Sequence, residues 1–375
     1  MSRKIDSGRI GHFPTISRGD GIDRYVSLRL FARPAIYEND LLEREGGQRG
    51  FEDSCGEGHF LSGVNGMRLR DALEMFLLSA VWGASFILIK LAGADLPPVW
   101  VAVGRLAFGS AFLWIALKVG RHKLPPLRLL PPLIVVAILN NAIPFCFFPW
   151  GELTVPSSIA AILNATTPIW ALLLGIVLGT ARATRLTSVG VALGFLGVLG
   201  VVYGHTAGIT GGTASGGYLR GVVVITVASF SYAAGAVAAK RWLQGVEPVV
   251  IATFQLTLAG VLLLPLAVFG SHPAALHWQS AAAVIVLGVL GSGLAYLLFF
   301  RLLATISPTR TVAVTYLLPI WGLFWGFIAG EEIRWTALAG VAVVLAGLIL
   351  LNLKTEPKPV AEAADSSESC VAENA

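Results

Sequence analysis

Most of this 375-residue chain is a single apolar pattern written twice. Lys90 corresponds to Lys240, Pro98 to Pro248, Gly190 to Gly340 and Gly197 to Gly347, every pair 150 positions apart. Between these anchors the register slips by one residue, so that Pro168, Ile169 and Trp170 return as Pro319, Ile320 and Trp321. Both copies are apolar enough for a bilayer: the chain is 55% hydrophobic and 13% charged, against roughly 25% charged in an ordinary soluble domain. A duplicated membrane unit is a strong constraint, because repeat-built carriers place their binding site where the halves meet.

Crossing ~30 Å of hydrocarbon at ~1.5 Å per residue takes about 20 apolar residues. Ten such stretches occur, near 72–92, 98–118, 129–149, 155–179, 185–203, 219–240, 248–270, 280–303, 308–330 and 334–353. The pattern predicts an all-α polytopic membrane protein with ten transmembrane helices. Five crossings per copy, an odd number, start the second copy on the opposite side of the membrane, so the architecture is two inverted five-helix repeats. Loop charge agrees with this, since short cytoplasmic loops collect Lys and Arg. With the first span starting inside, Arg68, Arg70, Lys118, Arg121, Lys123, Arg128, Arg182, Arg185, Lys240, Arg241, Arg301, Lys354 and Lys358 are cytoplasmic, and Lys90, Arg220 and Arg334 lie near the outer ends. Both termini are therefore expected in the cytoplasm.

The expected organisation is a first repeat over 67–204, a Gly-rich linker at 205–218 and a second repeat over 219–353. Residues 1–66 are rich in Gly, Arg, Asp and Glu and have no apolar stretch of signal-peptide length. They read as a disordered extension, or as sequence upstream of a true start at Met67, which opens a short basic run before the first span. Residues 354–375, rich in Pro, Ala, Glu and Ser, cannot bury enough apolar area to offset chain entropy and are expected to be disordered.

The formal net charge of +5 is spread over alternate loops and reads as a topology signal, which argues against nucleic-acid binding. Cys55, Cys146 and Cys370 are an odd number at unrelated spacings, giving no disulfide framework, metal cluster or cofactor site. No nucleotide-binding segment is present. All six histidines fall in tails or connections, so no Ser/His, paired-carboxylate or metal constellation sits within a span, and an enzyme is not expected. An intramembrane enzyme and a lipid scramblase on a ten-helix bundle are the competing classes.

Arg105 is the charge that stands out, about a third of the way into the second span, where an unpaired charge costs on the order of 2.5–3.5 kcal/mol. Either it faces a central cavity and binds a carboxylate or phosphate bidentately, or it snorkels to headgroups or caps carbonyls of a neighbouring helix. Asn140 and Asn141 lie mid-span in the third segment. On an α-helix neighbours differ by about 100°, so only one of them is expected to face the interior squarely. Glu152, just after that span, is the acid nearest membrane depth and the candidate for proton coupling; a helix-entry acid favoured by the positive dipole end is the alternative. Pro144, Pro168 and Pro319 free carbonyls inside spans, and kinks at Pro168 and Pro319 would lie symmetrically about a pathway. Trp82, Trp170 and Trp321 are candidate aromatic lining. Gly190, Gly194, Gly197, Gly200, Gly340 and Gly347 permit close helix approach, either within the chain or in a homodimer. Arg310, in the first turn of the ninth span, reads as a snorkelling or topology-fixing arginine with substrate binding as the alternative, and Lys90 and Lys240 read as interfacial anchors whose symmetry leaves a paired gating role open.

The run Trp82-Gly83-Ala84-Ser85-Phe86 with Lys90, then Pro97-Pro98 and Arg105-Leu106-Ala107-Phe108, resembles the drug/metabolite transporter superfamily, specifically its ten-span members with two EamA domains. In the second copy the resemblance is carried by Ala295-Tyr296, Phe300-Arg301, Ala304, Ser307, Leu318-Pro319, Gly330-Glu331, Gly340 and Gly347, and it covers roughly 72–353. It implies a carrier of small metabolites in the bacterial inner membrane. The chain departs from the pattern at Gly179-Thr180, where a Gly-Glu pair is common, and its halves differ where Gln255 replaces Arg105. The expectation is a secondary transporter of small polar metabolites such as amino acids, working by alternating access. Arg105 and one of the two asparagines would contact an anionic or zwitterionic substrate.

Overall fold

The computed structural model describes residues 68–206, 212–306, 311 and 313–352. The expected extension before Met67, the C-terminal tail, residues 207–211 of the Gly-rich linker and Arg310 lie outside the described residues. In the first repeat, α1 (Leu69–Ala92) and α2 (Pro98–Val119) are followed by a composite third span. It consists of α3 (Leu130–Ala137), a π-helical segment (Ile138–Ala142) and α4 (Ile143–Gly151). The fourth span is broken into α5 (Ser157–Asn164) and α6 (Thr167–Val177), and α7 (Arg185–Thr206) closes the repeat.

The second repeat follows the same plan. It runs through α8 (Gly212–Trp242), α9 (Pro248–Phe269), α10 (Trp278–Gly288), a second π segment (Val289–Leu294) and α11 (Ala295–Thr305). A 3-10 turn (Ala313–Leu317), α12 (Leu318–Ile328) and α13 (Trp335–Asn352) complete it. Eight of these stretches are long and apolar enough to cross a membrane, and the two shorter apolar helices are Val314–Ile328 and Trp335–Leu351. The described residues contain no strand.

Local chemistry sets the boundaries. Pro98 and Pro248 stand in the first turns of α2 and α9, where a missing N–H costs nothing. Pro168 and Pro319 likewise open α6 and α12, so each broken span restarts at its proline instead of bending around it. α6 and α12 end in the same turn, with Gly179 and Gly330 at φ +70° and +80°, a left-handed conformation natural to glycine.

The surface carries many exposed apolar side chains, and the interior, though mostly apolar, also holds polar groups. Phe269, Leu127 and Val177 are more than four-fifths exposed, while Ser79, Arg105, Asn141, Glu152, Thr253, Gln255 and Ser292 are buried. In lipid an apolar exterior is free of cost and polar groups need partners inside the bundle. The fifth and tenth spans meet backbone to backbone. A Cβ on Gly190 would lie 2.8 Å from the Gly347 carbonyl, and one on Gly197 2.8 Å from that of Gly340. These glycines are thus spent on packing within the chain. Across the ends of the molecule, His277 N–H donates to Asp95 (2.8 Å) with its Nδ1 2.9 Å from the same carboxylate, and His122 meets Glu247 between the other pair of loops.

Candidate functional site

Arg105 projects from α2 and is buried, which removes the snorkelling reading. Its Nε donates to Ser292 Oγ at 2.9 Å, Nη2 points at the Gly291 carbonyl at 3.5 Å, and its guanidinium carbon stands 3.8 Å from the Phe145 ring centre. Among the described residues no carboxylate forms an ion pair with it. Ser292 and Gly291 belong to the second π segment, in the opposite repeat from Arg105.

The other repeat makes the corresponding contact with different chemistry. Gln255 on α9 corresponds to Arg105 and is buried; it accepts from Asn140 Nδ2 at 3.5 Å. Asn140 and Asn141 lie in the first π segment, at the positions that answer to Gly291 and Ser292 with an offset of 151. The second helix of each repeat therefore reaches into the π segment of the other repeat's third span. The two contacts are related by the internal symmetry, but one end carries a cation and the other only amides.

The π geometry also corrects the expectation that only one of the adjacent asparagines faces inward. A π turn bonds i to i+5 and rotates neighbours through less than the ~100° of an α-helix, so both side chains find partners across the bundle. Asn140 meets Gln255, and Asn141 Nδ2 donates to the Tyr296 hydroxyl at 3.4 Å, leaving its Oδ1 buried with no partner among the described residues. α8 makes room and adds support. A Cβ on Gly235 would come within 2.1 Å of Asn140 Oδ1, and Ser231 Oγ donates to the Leu139 carbonyl at 2.7 Å.

Glu152 is buried at the C-cap of α4, and among the described residues neither carboxylate oxygen has a hydrogen-bond partner. The charged groups whose fields reach it are Glu331, Lys90 and Arg105. The helix-entry alternative for Glu152 fails, because it stands at the wrong end of its helix and a different acid occupies the start of α5. That acid is Glu331. Its Oε1 accepts from the Ser157 N–H (2.9 Å) and Oγ (2.8 Å), and its Oε2 from the Ser158 N–H (3.1 Å) and Oγ (2.7 Å). Lys90 Nζ completes the cluster at 2.7 Å, so this lysine is an ion-pair partner and not only an interfacial anchor. Burial pushes the Glu331 carboxyl up, but the hydrogen bonds from Lys90, Ser158 and Ser157 outweigh it and hold the group at about 2.

The three tryptophans are not gathered around Arg105. Trp82 packs on Phe299, Trp170 on Phe195 and Phe230, and Trp321 on Phe76, Phe324 and Trp325. The aromatic surroundings of Arg105 come instead from Phe145, with Tyr232 and Tyr296 within electrostatic reach. Phe145, Ser292 and Tyr232 were not singled out by the sequence pattern, although laying the copies at the 151 offset pairs Asn141 with Ser292.

The EamA-like transporter family model matches the chain twice, over residues 72–203 and 219–353. Among curated proteins, an uncharacterised inner membrane transporter, YedA, of Escherichia coli (strain K12) is 29% identical over 314 residues, spanning 80% of this chain and all of that protein. A probable terminal-alkyne amino-acid exporter of Streptantibioticus cattleyicolor is 26% identical over 299 residues, covering 77% of this chain and 96% of its own length. A solved crystal structure aligns with a TM-score of 0.54 over 76% of this chain and 96% of that one at 19% identity, a likeness of fold. Two family matches laid on ten apolar helices make this chain a member of the EamA-like transporter family, within the drug/metabolite transporter superfamily, and so a multi-pass membrane transporter and not an enzyme.

Proposed function

We propose that the chain is a secondary carrier of small polar metabolites, amino acids or related compounds, working by alternating access in a bacterial inner membrane with both termini in the cytoplasm. The carrying observation is the buried Arg105, which reaches from one repeat into the π segment of the other with no carboxylate of its own. A guanidinium so placed has spare donors in a planar fork that matches a substrate carboxylate. Rocking the two repeats about the Arg105 and Gln255 contacts would expose this group to one side and then the other. The amino-acid exporter among the relatives supports a substrate bearing a carboxylate.

Glu152 is the coupling group in this reading. Its two oxygens are buried and, among the described residues, accept no hydrogen bond, so a proton is what would satisfy them. The test is passage of a mixed pool of amino acids, sugars and organic acids into proteoliposomes, with mass spectrometry on both compartments. One class of carboxylate compound should cross unchanged. In Glu152→Gln, accumulation driven by a pH gradient should vanish while substrate exchange at equal pH persists. A chemically altered compound, or movement of lipid alone, would put the protein in another class; gradient-driven uptake by Glu152→Gln would remove Glu152 from the coupling.

A further inference from the structure

The cluster around Glu331 stands, among the described residues, at one end of the molecule. There α12 is pressed against α1 and α5. Trp321 Nε1 donates to Ser79 Oγ at 2.9 Å, a Cβ on Gly83 would fall 2.3 Å from the Trp321 Cβ, and one on Gly322 would fall 2.2 Å from that of Ala161. A Cβ on Gly326 would touch Ser158, whose N–H and hydroxyl bind the Glu331 carboxylate. The ion pair to Lys90 closes this seam.

In the symmetry-related seam between α6 and α8 the same positions are occupied differently. Trp170 corresponds to Trp321 and Ser229 to Ser79, yet Trp170 Nε1 is buried with no partner among the described residues, and Ser229 Oγ donates to the carbonyls of Leu163 (3.2 Å) and Ile225 (3.0 Å). Near Gly175, the counterpart of Gly326, the closest described atoms belong to its own loop, at Ala181 and Thr180. The backbone turn is not what differs. Thr180 N–H bonds Gly175 at 2.8 Å just as Glu331 N–H bonds Gly326 at 2.9 Å, after glycines with the same left-handed φ. One side chain that differs is Thr180, which turns its hydroxyl onto the Gly175 carbonyl, so that no acid stands there for Lys240, the counterpart of Lys90; Pro308 and Thr309, which answer to Ser157 and Ser158 at the 151 offset, lie outside the described residues.

We infer that Glu331 is a positioning residue that holds the carrier shut at its Lys90 end, and that the missing acid at Thr180 makes the two access states unequal. The inference rests on the alternating-access reading above. Opening the Lys90 end must strip a carboxylate from the first N–H groups of α5 and separate it from an ammonium, contacts about twice as strong as neutral hydrogen bonds and aligned with the helix dipole. At the Lys240 end the pairs Arg301–Glu74 (3.2 Å) and His122–Glu247 join the repeats, but among the described residues no carboxylate there is held by the first N–H groups of a helix. The substrate-free carrier therefore rests closed at the Lys90 end.

Ser85 provides a reporter. It lies on α1 inward of Lys90, is buried, and is close to the second π segment, since a Cβ on Gly291 would be 3.0 Å from its Oγ. With Cys55, Cys146 and Cys370 changed to serine, Ser85→Cys is labelled by a membrane-impermeant maleimide applied to either face in vesicles of both orientations. Glu331→Gln should raise the labelling rate from the Lys90 face about tenfold, a shift of one decade in the two-state population, and lower it from the other face. Lys90→Met should act in the same direction. Thr180→Glu, which removes no part of the existing cluster, should do so too by giving Lys240 an acid. Unchanged labelling from both faces in Glu331→Gln and Lys90→Met, with melting temperature preserved, would overturn the inference. If Glu331→Gln does not fold, Lys90→Met and Thr180→Glu decide alone. An effect of Glu331→Gln without one of Thr180→Glu would overturn the claim that this single side chain makes the ends unequal. Labelling that rises at the Lys90 face without falling at the other would leave the Glu331 closure standing and sink alternating access.

Discussion

Replacing Arg105 by glutamine separates a binding role from a structural one, because the opposite repeat already carries glutamine at the corresponding buried position, Gln255. The variant loses a charge-assisted hydrogen bond to Ser292, about 1.5–3 kcal/mol, since the Gly291 contact at 3.5 Å contributes little. It also loses the stacking on Phe145, about 2 kcal/mol for a desolvated cation. Against this, an unpaired guanidinium no longer has to be kept out of water, which recovers about 2.5–3.5 kcal/mol. The balance is about 1–2 kcal/mol, which moves a melting temperature by no more than ~5 °C. Substrate binding has no such compensation. Losing two charge-assisted bonds to a carboxylate, of order 3 kcal/mol together, raises the half-saturation concentration about 100-fold. The assay is concentration-dependent uptake in proteoliposomes beside thermal melting of the same preparation. An unchanged half-saturation constant would refute the reasoning, and so would a melting temperature lower by more than ~10 °C, which would make Arg105 a structural residue.

The contact between α7 and α13 predicts a graded response. Gly347→Ala places a Cβ 2.6 Å from the Gly190 carbonyl and 2.7 Å from Gly194 N and should cost about 1–3 kcal/mol by overpacking, whereas Gly200→Ala, with nothing within 4 Å, should be neutral in the same melting experiment. The Glu331 carboxyl titrates at about 2, below its ordinary value of 4.5, so its stabilising contribution is complete above about pH 4.5 and is lost as pH falls through 2. The ratio of Ser85→Cys labelling from the Lys90 face to that from the other face, in which the thiolate fraction cancels, should accordingly be flat between pH 5 and 8 in the Glu152→Gln background; a rise of that ratio within the window would place the Glu331 titration elsewhere.

How much of this was legible beforehand follows from what each residue depends on. The spans were readable because a bilayer admits only segments whose backbone bonds are satisfied within themselves, and apolar length reports that directly. The repeat was readable because Lys90, Pro98, Gly190 and Gly197 recur in order. Even the asymmetry between Arg105 and Gln255, and between Glu331 and Thr180, is visible once the copies are aligned. Other features were not readable. Nothing in Ile138–Ala142 announces a π turn, so the two asparagines were assigned an α-helical spacing that would have turned one of them away. The tryptophans look equivalent along the chain, yet Trp321 has Ser79 as a partner and Trp170 has none for its indole nitrogen.

The sequence by itself therefore determined the class of molecule, its apolar segments, their pairing into two copies and the scarcity of charge inside them, since these depend on composition and period along one strand of chain. Which polar groups face one another was decided only by the tertiary structure. Arg105 and Ser292 are separated by 187 residues, and Lys90 and Glu331 by 241. Such contacts are fixed by how ten helices pack, where a glycine such as Gly83 lets Trp321 approach and a π turn redirects a side chain, and neither effect leaves a local signal in the residues that finally meet.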